Sequence, residues 1–327
     1  MKLFSRLAPY SFFVLSAVLM SGQPMAQGGD LYPSKPVKII VPVSAGGSTD
    51  RLARLLAEKL SLAWKQPVIV ENITGAGGSI GANQVAKSKA DGYTLLLHSD
   101  AVVLNLALLT KPSYSLGDLT GVVKVVASPQ ILVVRPGLGV STLREYAELI
   151  KSKPGMISVG LPTNGGIGHI SHEMLSRALN LNVNYIPYPG GGPAALAVMG
   201  EHVDATMITT AAVTEFIKAK KLVPIAVTTS YRSSALPDVP TISESGVLGF
   251  SVESWQGILA PVATPKEIVR KINRDTLLIL ENPDFKKQVE AMGYVVLSGS
   301  ADQFNASLND ELKRYTQVIK DAKITLK

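Results

Sequence analysis

The chain has 327 residues, 46% of them hydrophobic, with a formal charge of +7 and no cysteine. Without cysteine, neither a disulfide framework nor a thiolate metal site nor a lipid-bearing cysteine is open to it, and a chain of this size buries a large core without cross-links. The basic residues are spread along the sequence, and no polybasic stripe with interleaved aromatics marks a nucleic-acid-binding surface.

Lys2 and Arg6 precede an apolar run from Leu7 to Met20. That run falls short of the roughly twenty residues a membrane-spanning helix needs and suits the hydrophobic region of a secretory signal peptide. Residues 1–28 are read as that signal, with the mature chain beginning between Gln27 and Asp30. Val37 to Val43 is apolar apart from Lys38 and Pro42, the pattern of a strand buried on both faces. The following helix carries Leu52, Leu55, Leu56 and Leu60 on one side and Arg51, Arg54 and Glu58 on the other. A strand at Pro67 to Val70, a helix from Ile80 to Lys87 and a strand at Tyr93 to Leu97 complete an alternation that predicts a parallel α/β sheet.

The alternation continues with strands at Val122 to Val126, Ile131 to Val134, Met156 to Gly160, Val183 to Ile186, Val203 to Ile208 and Val223 to Val227. Helices are predicted at Leu143 to Lys151, Ile167 to Leu179, Ala194 to Met199 and Thr214 to Ala219. The last third holds a strand at Gly257 to Ala260, a helix from Pro265 to Leu280, a short helix after Pro283, a strand at Tyr294 to Leu297 and an amphipathic helix from Asp302 to Ile319. So many strands exceed one compact sheet, and the length predicts two domains joined by strand-like crossings, because no Gly/Ser-rich tether separates the halves.

Four strand-to-helix turns share one design: Val43 to Asp50, Asn72 to Ser79, Pro162 to His169 and Pro187 to Pro193. Each places glycines at the carboxyl end of a predicted strand and the amino end of a predicted helix. In parallel sheets those ends gather along one edge, where ligands bind. Uncapped helix N–H groups and close-approaching glycine backbone suit an anion there. Two of the turns lie in the first half and two in the middle, so one small anion could be gripped from both sides. Asp50 opposes this in part, since a first-turn carboxylate satisfies the same N–H groups.

Other chemistry has weaker support. Gly77-Gly78-Ser79-Ile80-Gly81 matches the nucleophile-elbow pattern, which would make Ser79 the nucleophile of a serine hydrolase. His98, His169, His172 and His202 follow it, but nothing marks one as the general base. Gly75 to Ile80 misses the last glycine of a dinucleotide fingerprint, and no Walker lysine pattern occurs. His169 and His172 are three apart, yet no further metal-ligand spacing accompanies them. The sequon Asn72-Ile73-Thr74 lies within a glycine turn and reads as structural. No metal and no cofactor is expected, and a sensory or scaffold protein without a transport role is the third alternative.

The sequence resembles the periplasmic solute-binding proteins of tripartite tricarboxylate transporters, the Bug receptors. The resemblance rests on Tyr32-Pro33-Ser34-Lys35-Pro36-Val37, Gly46 to Asp50, Val70-Glu71-Asn72 followed by Gly75 to Gly78, and Asp91 to Leu96. Pro187-Tyr188, Leu236 to Thr241 and Trp255-Gln256-Gly257 extend it over nearly the whole mature chain, in order. It implies an α/β, two-domain periplasmic binding protein of type II, with a ligand cleft between the domains. One domain would be 30–128 with 256–327, and the other 129–255. It also implies a periplasmic, non-enzymatic receptor that closes on a small mono- or dicarboxylate and delivers it to a two-component membrane permease. A monomer is expected, with no nucleic-acid partner.

Carried over by residue, Ser44, Gly46, Gly47, Thr49 and Asp50 would grip from one lobe, and Thr163, Gly165, Gly168 and His169 from the other. Tyr188 and Gly190 would line the same cleft. The chain departs from the family at Ser44-Ala45, where prolines are frequent, and at Thr163, where serine is frequent; these changes bear on turn rigidity and cleft width.

Overall fold

The computed structural model describes residues 32–325, so the expected signal segment lies outside the described residues. The chain divides into Met1–Tyr32 and Pro33–Lys327, and every element named here belongs to the second unit.

The first half alternates β1 (Val37–Val41), α1 (Ser48–Trp64), β2 (Val68–Asn72), α2 (Ser79–Ala86), β3 (Thr94–Ser99) and α3 (Ala101–Leu108). Leu52, Leu56 and Leu60 recur at helical spacing and are fully buried, which is why α1 lies along the sheet. A long strand, β4 (Leu119–Val134), leads to α4 (Leu143–Ser152), β5 (Ser158–Leu161), α5 (Ile167–Leu179), β6 (Asn184–Pro187), α6 (Gly191–Met199), β7 (Ala205–Thr209), α7 (Thr210–Lys218) and β8 (Val223–Val227). A second long strand, β9 (Glu253–Pro261), returns the chain to α8 (Lys266–Leu280), α9 (Pro283–Ala291), β10 (Val295–Val296) and α10 (Ala301–Ala322).

Among the described residues the strands form one hydrogen-bonded ladder in the order β2-β1-β3-β9-β4-β7-β5-β6, with β8 and β10 also on β4. The two strands expected at 122–126 and 131–134 are the single strand β4, which is shared by both halves of the ladder. Its first part pairs with β9 as far as Pro129, opposite Glu253, and its second part pairs with β7 from Gln130, opposite Thr209. The missing N–H of Pro129 falls where β4 changes partners, so proline does not end the strand. The ladder is also not wholly parallel: β9 runs antiparallel to β3 and β4. Helix α3 was absent from the sequence reading; its short run Ala101–Leu108 is apolar except for Asn105, and one polar residue gives it no polar face and no helical period.

One buried cluster, including Ile40, Leu96, Val103, Trp255, Phe304 and Tyr315, seals α10 onto the first half of the ladder. Gly121 and Gly257 make room for Phe304: a Cβ on either would come within 2.6–2.7 Å of its ring. The Phe304 and Trp255 rings meet edge to face, centroids 5.0 Å apart. Two further clusters cover opposite faces of the second half, one around Leu132, Tyr146 and Met207 and one around Ile131, Val198 and Ile208.

Candidate functional site

Strand register brings the ends of both halves to one place. β3 ends at Ser99, paired with Gln256 of β9, and Gln256 is paired with Val126 of β4. From the other half, β7 ends at Thr209, opposite Gln130 of β4, and β5 runs parallel to β7. The carboxyl ends of the two parallel sets therefore converge on Val126 to Gln130. This is the position at which open α/β sheets bind ligands.

Two of the four glycine turns are built alike. Gly46 and Gly165 adopt φ of +82° and +73°, a left-handed conformation that glycine takes without strain. Gly47 and Gly166 follow in extended conformation as the N-caps of α1 and α5, and neither helix has a side-chain cap. The first intrahelical bonds are Arg51 N–H to the Gly47 carbonyl at 2.9 Å and Ile170 N–H to the Gly166 carbonyl at 3.0 Å. The amides of Ser48, Thr49 and Asp50, and of Ile167, Gly168 and His169, precede those bonds at positively polarised helix ends and have no partner among the described residues.

The same geometry redefines several residues of the sequence reading. Gly46 N–H donates to Asp50 Oδ2 at 2.8 Å, and Gly165 N–H donates to His169 Nδ1 at 3.1 Å. Neither amide is free for a ligand; each ties its turn to the residue four positions on. The Asp50 carboxylate also accepts from Arg54 Nε at 3.0 Å and from Asn72 Nδ2 at 2.9 Å. Burial acts to raise the Asp50 pKa, but Arg54, Gly46 and Asn72 together outweigh it and hold the carboxyl below its ordinary range. Asp50 thus shapes the turn from behind, while its own amide remains open. Because His169 Nδ1 accepts from a backbone amide, the neutral ring carries its proton on Nε2. Burial lowers the His169 pKa to about 4, so the neutral ring prevails at pH 7.

The other two turns differ. Gly75, Ala76, Gly77 and Gly78 all have positive φ, and Asn105 Nδ2 closes this turn by donating to the Gly77 carbonyl at 2.8 Å. In the fourth turn, Gly190 N–H donates to the Pro162 carbonyl at 2.8 Å, fastening it to the turn after β5. The Tyr188 ring packs beside Gly160 and the β4–α6 core, while Gly191 reaches the cavity.

That cavity, of about 200 Å³, lies at the carboxyl ends of β5 and β7, with Thr163, Gly166, Gly168, Gly191, Thr209 and Gln130 among its lining. It is smaller than the 300–1,000 Å³ of drug-sized pockets and suits a small solute. No charged side chain lines it. Ser44 and Gly47 occupy the exposed turn after β1, outside this lining, and Thr49 is buried at the start of α1.

Gln130 escaped the sequence reading, as did Ser128. Both are 2% exposed, and the Ser128 hydroxyl and Gln130 Nε2 have no partner among the described residues. The signal was present: two polar side chains flank Pro129 between apolar runs that form one strand, and the segment was read as a break instead.

A family model for the tripartite tricarboxylate transporter family receptor matches residues 52–324. The chain belongs to that receptor family. BugT of Bordetella pertussis is 36% identical over 301 residues, covering 91% of this chain and 92% of BugT. The solved periplasmic binding protein BugD is 34% identical with a TM-score of 0.71, covering 90% of this chain and 99% of that one. A Rhodopseudomonas palustris protein solved with adipate is 29% identical with a TM-score of 0.74, at 90% and 99% coverage. The receptor accordingly has the α/β, two-domain, type II-like fold of periplasmic binding proteins, with the cleft between the domains.

Members of this family are solute-binding receptors, not enzymes. Ser79 of the elbow-like pattern is 2% exposed. Asn72 of the sequon donates to the Val43 carbonyl and to Asp50, as a structural residue does. His172 is engaged by Tyr146 and Tyr185 at 3.0 and 2.9 Å.

Proposed function

We propose that this receptor captures a small mono- or dicarboxylate in the periplasm and delivers it, as a monomer, to a two-component membrane permease of the tripartite tricarboxylate type. The observation that carries the proposal is the matched pair of uncapped helix amino ends, α1 from one half and α5 from the other, the second of which opens onto a cavity without charged lining. Helix amino ends hold carboxylates through N–H donors and the helix dipole. Adipate in the Rhodopseudomonas palustris relative supports the same ligand class.

In this reading the lobes are 30–128 with 256–327, and 129–255, and β4 and β9 are the crossings about which they close. A ligand touching both lobes only when they are shut shifts the open–closed balance toward closure. Neutral donors, with no arginine clamp, favour release when the receptor docks on the permease. The donors are the amides of Ser48, Thr49, Asp50, Gly168 and His169, with His169 Nε2–H and the Thr49 hydroxyl as side-chain candidates, whereas the Thr163 hydroxyl donates to the Pro162 carbonyl at 2.8 Å. Ser44 and Gly47 give the turn its shape, and Tyr188 and Gly190 brace the second lobe.

The test is a thermal-shift screen of dicarboxylates, monocarboxylates, amino acids and neutral sugars, followed by calorimetric titration. Ligand at a hundred times its Kd stabilises the native state by about 2.7 kcal/mol, which a melting curve resolves. Saturable binding of a carboxylate without turnover is the expected result. Stabilisation by neutral sugars alone would refute the carboxylate assignment.

A further inference from the structure

We propose that Gln130 is a ligand-binding residue whose side-chain amide donates a hydrogen bond to the carboxylate seated at the amino end of α5, and so helps set ligand specificity. This rests on the carboxylate reading of the cleft and adds to it a donor that belongs to neither glycine turn.

The backbone around Gln130 is held from several sides. Its N–H donates to Thr228 Oγ1 at 3.2 Å, its carbonyl accepts Thr228 N–H at 2.9 Å, and the Pro129 carbonyl accepts Thr210 Oγ1 at 2.9 Å. Thr228 Oγ1 itself donates to the Val252 carbonyl at 2.7 Å, next to β9. The side chain, by contrast, lines the cavity with Nε2 unpartnered although the residue is 2% exposed. A buried, unpaired N–H donor is costly, and native proteins retain few of them. Donors dominate the neighbourhood, with the amides of Ile167, Gly168 and His169 opening the helix at the same place. A site with several convergent donors and no cation calls for an anionic acceptor.

Two further observations fit. Ser128, two residues earlier on β4, also has an unpartnered buried hydroxyl. Strand alternation sets its side chain on the same face as that of Gln130. Gly168 lets the helix end come close: a Cβ there would press on the Met207 carbonyl oxygen of β7, the strand that pairs with β4 from Gln130 onward. Position 130 lies on the crossing strand, so a ligand bonded to it touches the segment about which the lobes would close. Leucine at this position would remove the donor with little change in volume, and glutamate would replace it with a like charge.

The experiment titrates wild type, Q130L and Q130E with succinate, glutarate and adipate by calorimetry, with melting curves of each apo protein. Wild type binds at least one probe; Q130L binds it about tenfold to a hundredfold more weakly, the range of a hydrogen bond to a charged group. Q130E binds it more weakly still. Apo Q130L melts no lower than wild type, because the lost group had no partner; a residue needed only for folding would lower the melting point instead. Wild-type binding with unchanged affinity in Q130L overturns the role of Gln130 alone. Wild type that binds none of the three overturns this assignment together with the dicarboxylate reading. Should Q130L fail to fold, the wild-type side-chain amide signal of Gln130 in 15N–1H NMR decides: it shifts on saturation with the probe, and a signal that stays in place overturns the proposal.

Discussion

Asp50→Ala separates two accounts of one residue. A carboxylate that gripped a ligand would be needed for binding and dispensable for folding. The structure gives Asp50 Oδ2 to the Gly46 amide and Arg54, and Oδ1 to Asn72, with the side chain 2% exposed. Removing one member of a buried charged network costs about 3–5 kcal/mol. The low end, about 3 kcal/mol, applies because Arg54 is half exposed and Gly46 is open to water, so two of the three former partners can be solvated. For a domain of this size that is a fall of roughly 5–10 °C in melting temperature. Affinity should fall as well, since Gly46 loses the bond that fixes its left-handed turn and α1's open amides lose their aim. Asp50→Asn keeps acceptor capacity toward Gly46 or Asn72 and should recover about half the lost stability. Paired thermal melts and ligand titrations read both effects. An Asp50→Ala protein that melts like wild type but binds nothing would refute the supporting role and return Asp50 to direct ligand contact.

Three other perturbations follow from the same structure. Gly168→Ala would press a methyl group onto the Met207 carbonyl oxygen, a backbone atom of β7, and relieving the clash lifts the amino end of α5; a loss of about 1–3 kcal/mol with at least tenfold weaker binding is expected, and wild-type affinity would contradict the placement of the site. His98, His169 and His172 are buried and neutral, with pKa values lowered by burial to about 3, 4 and 3, so the unfolded chain binds more protons below pH 6.5 and stability falls as pH drops from 6.5 toward those values. Each costs about 2 kcal/mol by pH 5, whereas burial raises Asp100 to about 7 and gives back about as much as one of them; calorimetry should find a lower melting temperature at pH 5 than at pH 7, steeper in Asp100→Asn, and a flat profile would refute the buried neutral histidines. Trp255 Nε1 donates to Glu311 Oε2 at 2.7 Å in the core, so Trp255→Phe should cost about 2 kcal/mol in urea unfolding, and a loss below 0.5 kcal/mol would show that bond to be unimportant.

The glycine turns were legible because small-residue turns and an amphipathic period are local properties. Gly46, Gly165 and the helices they open were read from neighbours within a few residues. Side-chain direction was not legible. Asp50 was assigned to a ligand, but Asn72, 22 residues away, and Arg54 claim its carboxylate. Tyr188 was expected to line the cleft, and nothing in the sequence signalled that its ring packs beside Gly160. The unity of β4 was hidden as well, since Ser128-Pro129-Gln130 looks like a break until the strand is seen to change partners there.

The sequence alone determined the alternation of strands and helices and the glycine turns that join them, all set by periodicity and backbone sterics over short stretches. Tertiary structure decided which amides remain open, which carboxylate is engaged and which buried donor faces the cavity. Those outcomes depend on register between segments distant in the chain, where a shift of one residue would turn Gln130 to the opposite face of its strand.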